Sequence, residues 1–290
     1  MTRNNSIDSN IPDYNRFQGM TFRDILDEIG RECPEREMIL FQGNRMSYGE
    51  FYVKVRQMAT ALKKLGIKKN DRVAVLFPNC PEFFIVQQAT LYIGGMIVLL
   101  STRYREYELG YMLKHSGAKC LFTIGRYLKT DFVDIIERIK PDLPDLNFCF
   151  IIGDNIPPWG RSFEEAIELG KNVDENLLND YIPKEEDYAS ILYTSGSTGL
   201  PKGVVMTHRS FIYGATQVAK RLRIRPYETT LMIVPCSHTV CAFIQFPNIL
   251  MGRLKVVMMD TFEATEALKL YNEEKVSLIY GVPAMFYMML

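Results

Sequence analysis

Residues 194 to 203 read Thr-Ser-Gly-Ser-Thr-Gly-Leu-Pro-Lys-Gly. Four hydroxyl side chains (Thr194, Ser195, Ser197 and Thr198) are interleaved with Gly196 and Gly199, and one cation, Lys202, follows. Glycine admits φ > 0 and lets a ligand approach the main chain. Successive N–H groups in such a turn form a concave anion site. The hydroxyls add donors and Lys202 adds charge, so the chemistry expected of this stretch is polyphosphate binding. It is not a Walker A sequence, which requires Gly-Lys-Ser/Thr after four intervening residues. A flexible linker is the plain alternative. Against it stand the flanks: the strand-like run Ala189–Tyr193, and after the loop Val204–Met206 followed by a helical pattern from His208 to Leu222.

Those flanks belong to a larger alternation. Ser47 and Glu50 form a capping-box pair that opens a helix with Phe51, Val55, Met58, Leu62 and Leu65 on one face, and Gly66 ends it. A strand is expected at Arg72–Phe77, a helix from Pro81, a strand at Met96–Leu100, a helix near Glu106–His115 and a strand at Lys119–Thr123. Val133–Lys140 reads as helix, Asn147–Ile152 as strand, and a helix is expected near Ser162–Leu169. Beyond the loop, strands are expected at Thr230–Val234, Leu254–Met258 and Val276–Tyr280 with helices between. Such alternation predicts an α/β fold of layered, mainly parallel sheets flanked by helices.

The string from Leu192 to Ser210, loop and flanks together, closely resembles the phosphate-loop signature of the adenylate-forming (AMP-binding) enzymes. That superfamily comprises acyl- and aryl-CoA synthetases, firefly-type luciferases and peptide-synthetase adenylation domains. Met46–Phe51, Asp71–Phe83 and Tyr104–Leu109 resemble its early segments, Val234–His238 its acyl-pocket segment, and Gly281–Phe286 the stretch that follows. The resemblance covers residues 18 to 290. It implies ATP-dependent activation of a carboxylic acid to an acyl-adenylate and then an acyl-CoA, with ATP, Mg²⁺ and CoA. Thr194, Ser195, Gly196, Ser197, Thr198, Gly199 and Lys202 would hold the β- and γ-phosphates. It also implies two layers: 70–222 carrying the phosphate loop, and 18–69 paired with 225–290.

The family's Tyr-Gly-x-Thr-Glu segment, its ribose-binding Asp and its catalytic Lys have no recognisable counterpart in this sequence. The expectation is therefore an incomplete N-terminal domain without the small C-terminal domain, inactive alone, with the main Mg²⁺ site outside the chain and no catalytic residue within it. A homodimer or a separate C-terminal segment would cover the remaining surface. A luciferase-like or carrier-loading enzyme, and a catalytically silent nucleotide-binding fragment, are the other readings.

Three histidines occur. His238 stands in the family's Pro-x-x-His pattern and is the expected substrate-binding residue, a core histidine being the alternative. His208 suits capping or packing at a helix start, and His115 suits a helix end, where an imidazolium complements the dipole. No Asp lies between Asp187 and Asp260. Amine-activating relatives usually place one near there, so a fatty or other acyl acid is expected.

Lys plus Arg equals Asp plus Glu, 34 each, so charge gives no case for nucleic acid. Six cysteines lie scattered without metal-site spacing, and the polar N-terminus lacks a signal peptide's apolar core; both fit a cytoplasmic protein. Phe83–Thr102 and Thr229–Gly252 are uncharged enough to weigh as membrane spans. The Gly94-Gly95 turn in the first and Pro235, Pro247 and Asn248 in the second argue for core elements instead.

Overall fold

The computed structural model describes residues 12–194 and 200–290. Fourteen strands appear among them: β1 (Glu37–Phe41), β2 (Asn44–Ser47), β3 (Arg72–Leu76), β4 (Met96–Leu99), β5 (Ala118–Ile124), β6 (Arg126–Tyr127), β7 (Thr130–Asp131), β8 (Phe148–Ile152), β9 (Arg161–Ser162), β10 (Tyr188–Thr194), β11 (Lys202–Thr207), β12 (Thr229–Met232), β13 (Lys255–Met258) and β14 (Leu278–Tyr280). A seven-stranded sheet has the order β11-β10-β4-β3-β5-β8-β9, and a five-stranded sheet has the order β14-β12-β13-β1-β2. Both are parallel except at one edge, where β10 pairs antiparallel with β11 and β1 with β2. Layered, mainly parallel sheets with flanking helices are the architecture expected from the alternation.

Local chemistry sets the element ends. Ser47 Oγ accepts from Glu50 N–H at 3.1 Å and Glu50 accepts from Ser47 N–H at 2.6 Å, the reciprocal pair that opens the Tyr48–Lys64 helix. Gly66 follows its end at φ +81°, where a side chain would be strained. Thr207 and Ser210 cap the His208–Leu222 helix in the same way. The Phe22–Glu32 helix, capped by Thr21 and Asp24, and the β1–β2 hairpin were not expected. The hairpin turns on Gln42 and Gly43, both at positive φ. A two-residue turn of this kind ordinarily announces itself as Asn-Gly.

The Pro81–Tyr92 helix explains the first apolar stretch. Every residue of it except Glu82 is buried. An element apolar all round belongs in a core, and this one lies within the main hydrophobic cluster, which also takes in strands of both sheets. Phe84 stacks on Phe246 at 3.7 Å, and Phe246 meets Phe51 edge-on at 6.0 Å. A smaller cluster, with Leu109, Met112, Phe132 and Ile136, involves the seven-stranded sheet alone. The second apolar stretch folds as β12, a loop, a π-helical turn at Cys241–Gln245 and the Phe246–Gly252 helix. Among the described residues no helix is long and apolar enough to cross a membrane. All six cysteines are free, and five are buried.

Two glycines give opposite expectations. A Cβ on Gly170, at the end of the Phe163–Leu169 helix, would lie 1.8 Å from the Gln57 carbonyl oxygen. A Cβ on Gly214, within the His208–Leu222 helix, would meet nothing within 4 Å. Gly170→Ala is expected to destabilise by about 1–3 kcal/mol through overpacking. Gly214→Ala is expected to stabilise by up to about 1 kcal/mol through helix propensity. Urea unfolding midpoints of the two variants check both signs.

Candidate functional site

β10 and β11 run as an antiparallel pair whose last partners are Thr194 and Lys202. They therefore bring the two ends of the predicted phosphate loop together. Thr194 and Lys202 are both exposed, and among the described residues no carboxylate pairs with Lys202. Ser195, Gly196, Ser197, Thr198 and Gly199 lie outside the described residues. β10 is parallel to β4, so Thr194 stands at the carboxyl end of the seven-stranded sheet.

That end carries a second feature. In the order β4-β3-β5-β8, the connection after β3 leads to one side and the connection after β5 to the other. Ligands of open α/β sheets bind at such a switch point, outside the carboxyl ends of the strands. A cavity of about 760 Å³ lies there. The segments after β3 (Phe77–Asn79) and after β5 (Tyr127–Thr130) line it from one sheet. Ile233, Pro235 and Ser237 after β12, and Asp260–Phe262 after β13, line it from the other.

Asn79 ties the two sheets at this place. It is buried, and its amide nitrogen donates to Val234 O at 3.2 Å and to Met259 O at 2.8 Å. Its carbonyl oxygen accepts from Cys236 N–H at 2.6 Å. The tie also explains why β12 stops at Met232, short of the expected Val234: the Val234 carbonyl is taken by a side chain rather than by a neighbouring strand. A second bridge joins Tyr127 Oη and Thr261 Oγ1 at 2.8 Å.

The rim of the cavity is cationic. Arg103, Arg105 and Lys129 line it, all exposed, and among the described residues none has a carboxylate partner. Among the described residues Arg105 Nη1 donates only to the carbonyls of Thr102 and Tyr104. Asp260 is the one carboxylate in the lining. Sequence reasoning singled out none of these side chains. Arg105 lies inside the segment Tyr104–Leu109, but nothing local signals that five separate stretches and Met285 meet. Among the described residues, no cluster of three or more His, Cys, Asp or Glu side chains could hold a metal ion.

The histidines separate clearly. His238 is exposed, which overturns the core-histidine alternative. Its N–H donates to Pro235 O at 2.9 Å and its Nδ1 accepts from Val240 N–H at 3.2 Å. It stands on the loop whose Pro235 and Ser237 line the cavity, although the ring itself is not part of the lining. His208 is fully buried, as a packing role requires. Its Nδ1 accepts from Phe22 N–H at 3.3 Å, and its Nε2 has no partner among the described residues. Burial lowers its pKa from 6.5 to about 4. His115 does sit in the last turn of the Glu106–Ser116 helix, but its ring also packs against Tyr111 and Tyr193.

With this geometry in hand, comparison with known proteins is decisive at the level of family. The model of the AMP-binding enzyme family matches residues 26–290, and the chain belongs to that family. It is 27% identical over 304 residues to a long-chain-fatty-acid–CoA ligase of Bacillus subtilis, covering 96% of this chain and 53% of the relative. It is 26% identical over 286 residues to the mitochondrial medium-chain acyl-CoA ligase ACSF2 of Pongo abelii, covering 90% of this chain and 46% of the relative. Among solved structures, ATP-bound MatB of Rhodopseudomonas palustris superposes with a TM-score of 0.78 at 22% identity, over 93% of this chain and 51% of that one. The chain thus spans about half the length of the curated relatives it matches.

Two predictions follow from the buried polar groups. Asn79→Ala leaves two carbonyls and one N–H without their partner, at about 1–3 kcal/mol for each group left buried. A loss of at least about 2 kcal/mol in urea unfolding is expected. For His208, the folded-state pKa lies below the unfolded value, so its contribution is complete above pH 6.5 and is lost as pH falls toward about 4. Stability is expected to drop by up to about 3 kcal/mol across that window. The slope is expected to flatten in His208→Gln, which keeps an acceptor for Phe22 N–H, as read from unfolding midpoints at a series of pH values.

Proposed function

We propose that this chain supplies the ATP- and acid-binding part of an AMP-forming acid–CoA ligase that acts on a fatty or other acyl acid. The observation that carries the reading is the hairpin base Thr194–Lys202, with an exposed cation that has no carboxylate partner among the described residues, at the carboxyl end of the sheet beside a switch-point cavity. The names of the two relatives support it.

The reaction joins two anions: a carboxylate attacks the α-phosphate of ATP, and pyrophosphate leaves. Its barrier is lowered chiefly by fixed positive charge and donors held where negative charge develops. Lys202, the hydroxyl of Thr194 and the loop residues Ser195 to Gly199 are assigned to the β- and γ-phosphates. Mg²⁺, when bound with ATP, supplies further charge. Phe77, Ile233, Phe262 and Met285 give the cavity apolar wall suited to an acyl chain, while Arg103, Arg105 and Lys129 favour anions at its rim. His238, exposed beside the cavity, is assigned to acid selection. CoA is the thiol that displaces AMP. Asp260 supports a second reading, a carrier-loading enzyme for an amine-bearing acid, since that carboxylate could hold an ammonium group.

Calorimetric titration with ATP tests the first assignment. Lys202→Ala is expected to weaken binding about tenfold or more, the scale of one charged contact of about 1.5–3 kcal/mol. Equal affinity in the variant sinks it. In a competition panel running from acetate to stearate and including amino acids, His238→Ala should change the order of preference while the melting temperature holds. A preference for amino acids that depends on Asp260 would favour the second reading.

A further inference from the structure

Tyr193 and Pro201, on either side of residues 194–200, are tied to one helix by side-chain hydrogen bonds, in addition to the packing of Tyr111 and Tyr193 on the smaller core cluster. Tyr111 and His115 are one turn apart on the Glu106–Ser116 helix, and neighbours at i and i+4 share a face. Tyr111 Oη donates to the carbonyl of Pro201, just after the loop, at 3.1 Å. Pro201 has no N–H, so its carbonyl is the only backbone polar group there that can be held. Just before the loop, Tyr193 Oη donates to Met112 O at 3.2 Å and lies 2.9 Å from His115 Nδ1. With that hydroxyl proton directed to Met112, the His115 ring donates from Nδ1 to the tyrosine oxygen.

The three rings form one unit. His115 stacks on Tyr111 at 5.3 Å between centroids and meets Tyr193 edge-on at 5.8 Å. Gly203, the cross-strand partner of Tyr193, lets the strand lie close beneath them. A Cβ there would come within 2.9 Å of Ile191 Cγ2 and 3.6 Å of Tyr193 Cε1. Burial of Tyr193 raises its phenol to about 12, so it remains a neutral donor. Six residues before Tyr111, Arg105 lines the switch-point cavity. Six helical residues span about 9 Å. The same short rod therefore touches the cavity at one end and the loop base at the other.

We infer that Tyr111, His115 and Tyr193 are positioning residues, which clamp the base of the phosphate loop to this helix and so fix where the loop meets the ATP polyphosphate relative to the cavity. The inference rests on the reading of residues 194–202 as a polyphosphate site. Tyr111 and Tyr193 reach the loop from opposite ends and converge on consecutive residues of one helix turn, Tyr111 itself and the Met112 carbonyl. The ladder between β10 and β11 ends at Thr194 and Lys202, and the clamp adds side-chain hydrogen bonds to the adjoining residues Tyr193 and Pro201.

The test is calorimetric titration of the chain and its variants with ATP plus Mg²⁺ and with inorganic pyrophosphate, paired with melting temperatures. Tyr111→Phe and Tyr193→Phe each remove one hydroxyl and keep the ring. Each is expected to weaken both ligands about 3- to 10-fold, the scale of one hydrogen bond, with melting temperatures within about 2 °C of the parent. Tyr107→Phe, on the same helix but 70% exposed, is expected to bind like the parent. His115→Gln keeps a donor for Tyr193 and should retain affinity, whereas His115→Leu should lose it. If the parent binds and Lys202→Ala weakens it, but the two phenylalanine variants bind as the parent does, the clamp is overturned and the functional reading stands. Affinity lost only together with a large fall in melting temperature also overturns the clamp, since that is a structural role. If the parent binds neither ligand, the functional reading falls first and the clamp falls with it.

Discussion

The carboxamide of Asn79 is the interaction on which the candidate site depends. Two sheets assembled from interleaved parts of the chain, residues 72–207 for one and residues 37–47 with 229–280 for the other, have no short covalent connection at their carboxyl ends. The apolar core, including the Pro81–Tyr92 helix, brings them together, but hydrophobic burial is non-directional and does not fix a register. Asn79 does. A carboxamide offers two donors and an acceptor in one plane, and here all three hydrogen bonds run to the backbone that follows β12 and β13. An aspartate lacks the donors, and a leucine would fill the volume and leave three buried groups unpaired. The cavity opens at this stitch, with Phe77–Asn79 forming part of its wall.

The electrostatics of the site is local. With 34 cations and 34 anions the chain has no net field to attract an acidic ligand. Some cations elsewhere are matched (Arg138 meets Glu106 and Asp134, Arg253 meets Glu28 and Glu32, and Lys255 meets Glu37 and Glu274), whereas others such as Lys54, Lys114 and Lys275 have no carboxylate partner among the described residues. At the carboxyl end of the seven-stranded sheet Lys202, Arg103 and Lys129 stand near one another in the fold, and among the described residues none has a carboxylate partner. Unmatched charge beside low-dielectric walls focuses potential and raises the local concentration of an anion. Composition therefore says nothing about the ligand, whereas placement says a good deal.

What the sequence made legible followed the range of the physics involved. Helix starts are decided over four residues, so the Ser47–Glu50 box and the His208–Leu222 helix could be read directly. The apolar runs that become β10 and β11 could be read because they flank the loop directly, whereas their antiparallel pairing has no local mark. The Gln42–Gly43 turn escaped because glutamine seldom takes positive φ, and the Phe22–Glu32 helix because its Thr21–Asp24 cap uses Asp where Glu is the usual signal. The cavity escaped for a deeper reason. Its walls come from residues 77–79, 103–105, 127–130, 233–237 and 260–262, and only the strand order brings them together. Likewise, the π-helical turn at Cys241–Gln245, which follows the His238 loop, is a local geometry with no clear sequence mark.

The loop's place on the sheet has a consequence of its own. β11 is an edge strand, joined to the sheet only through its antiparallel pairing with β10. Val204 and Val205 on it are 42% and 48% exposed. Edge strands leave backbone groups unpaired and tempt association, so an apolar edge beside the candidate phosphate loop is a liability that the fold nevertheless retains. An interior strand would be followed by a crossover helix that crowds the carboxyl end. The β10–β11 ladder ends at Thr194 and Lys202, and side-chain hydrogen bonds to the neighbouring helix hold the adjoining residues Tyr193 and Pro201. The aromatic trio at Tyr111, His115 and Tyr193 stands where that constraint is needed.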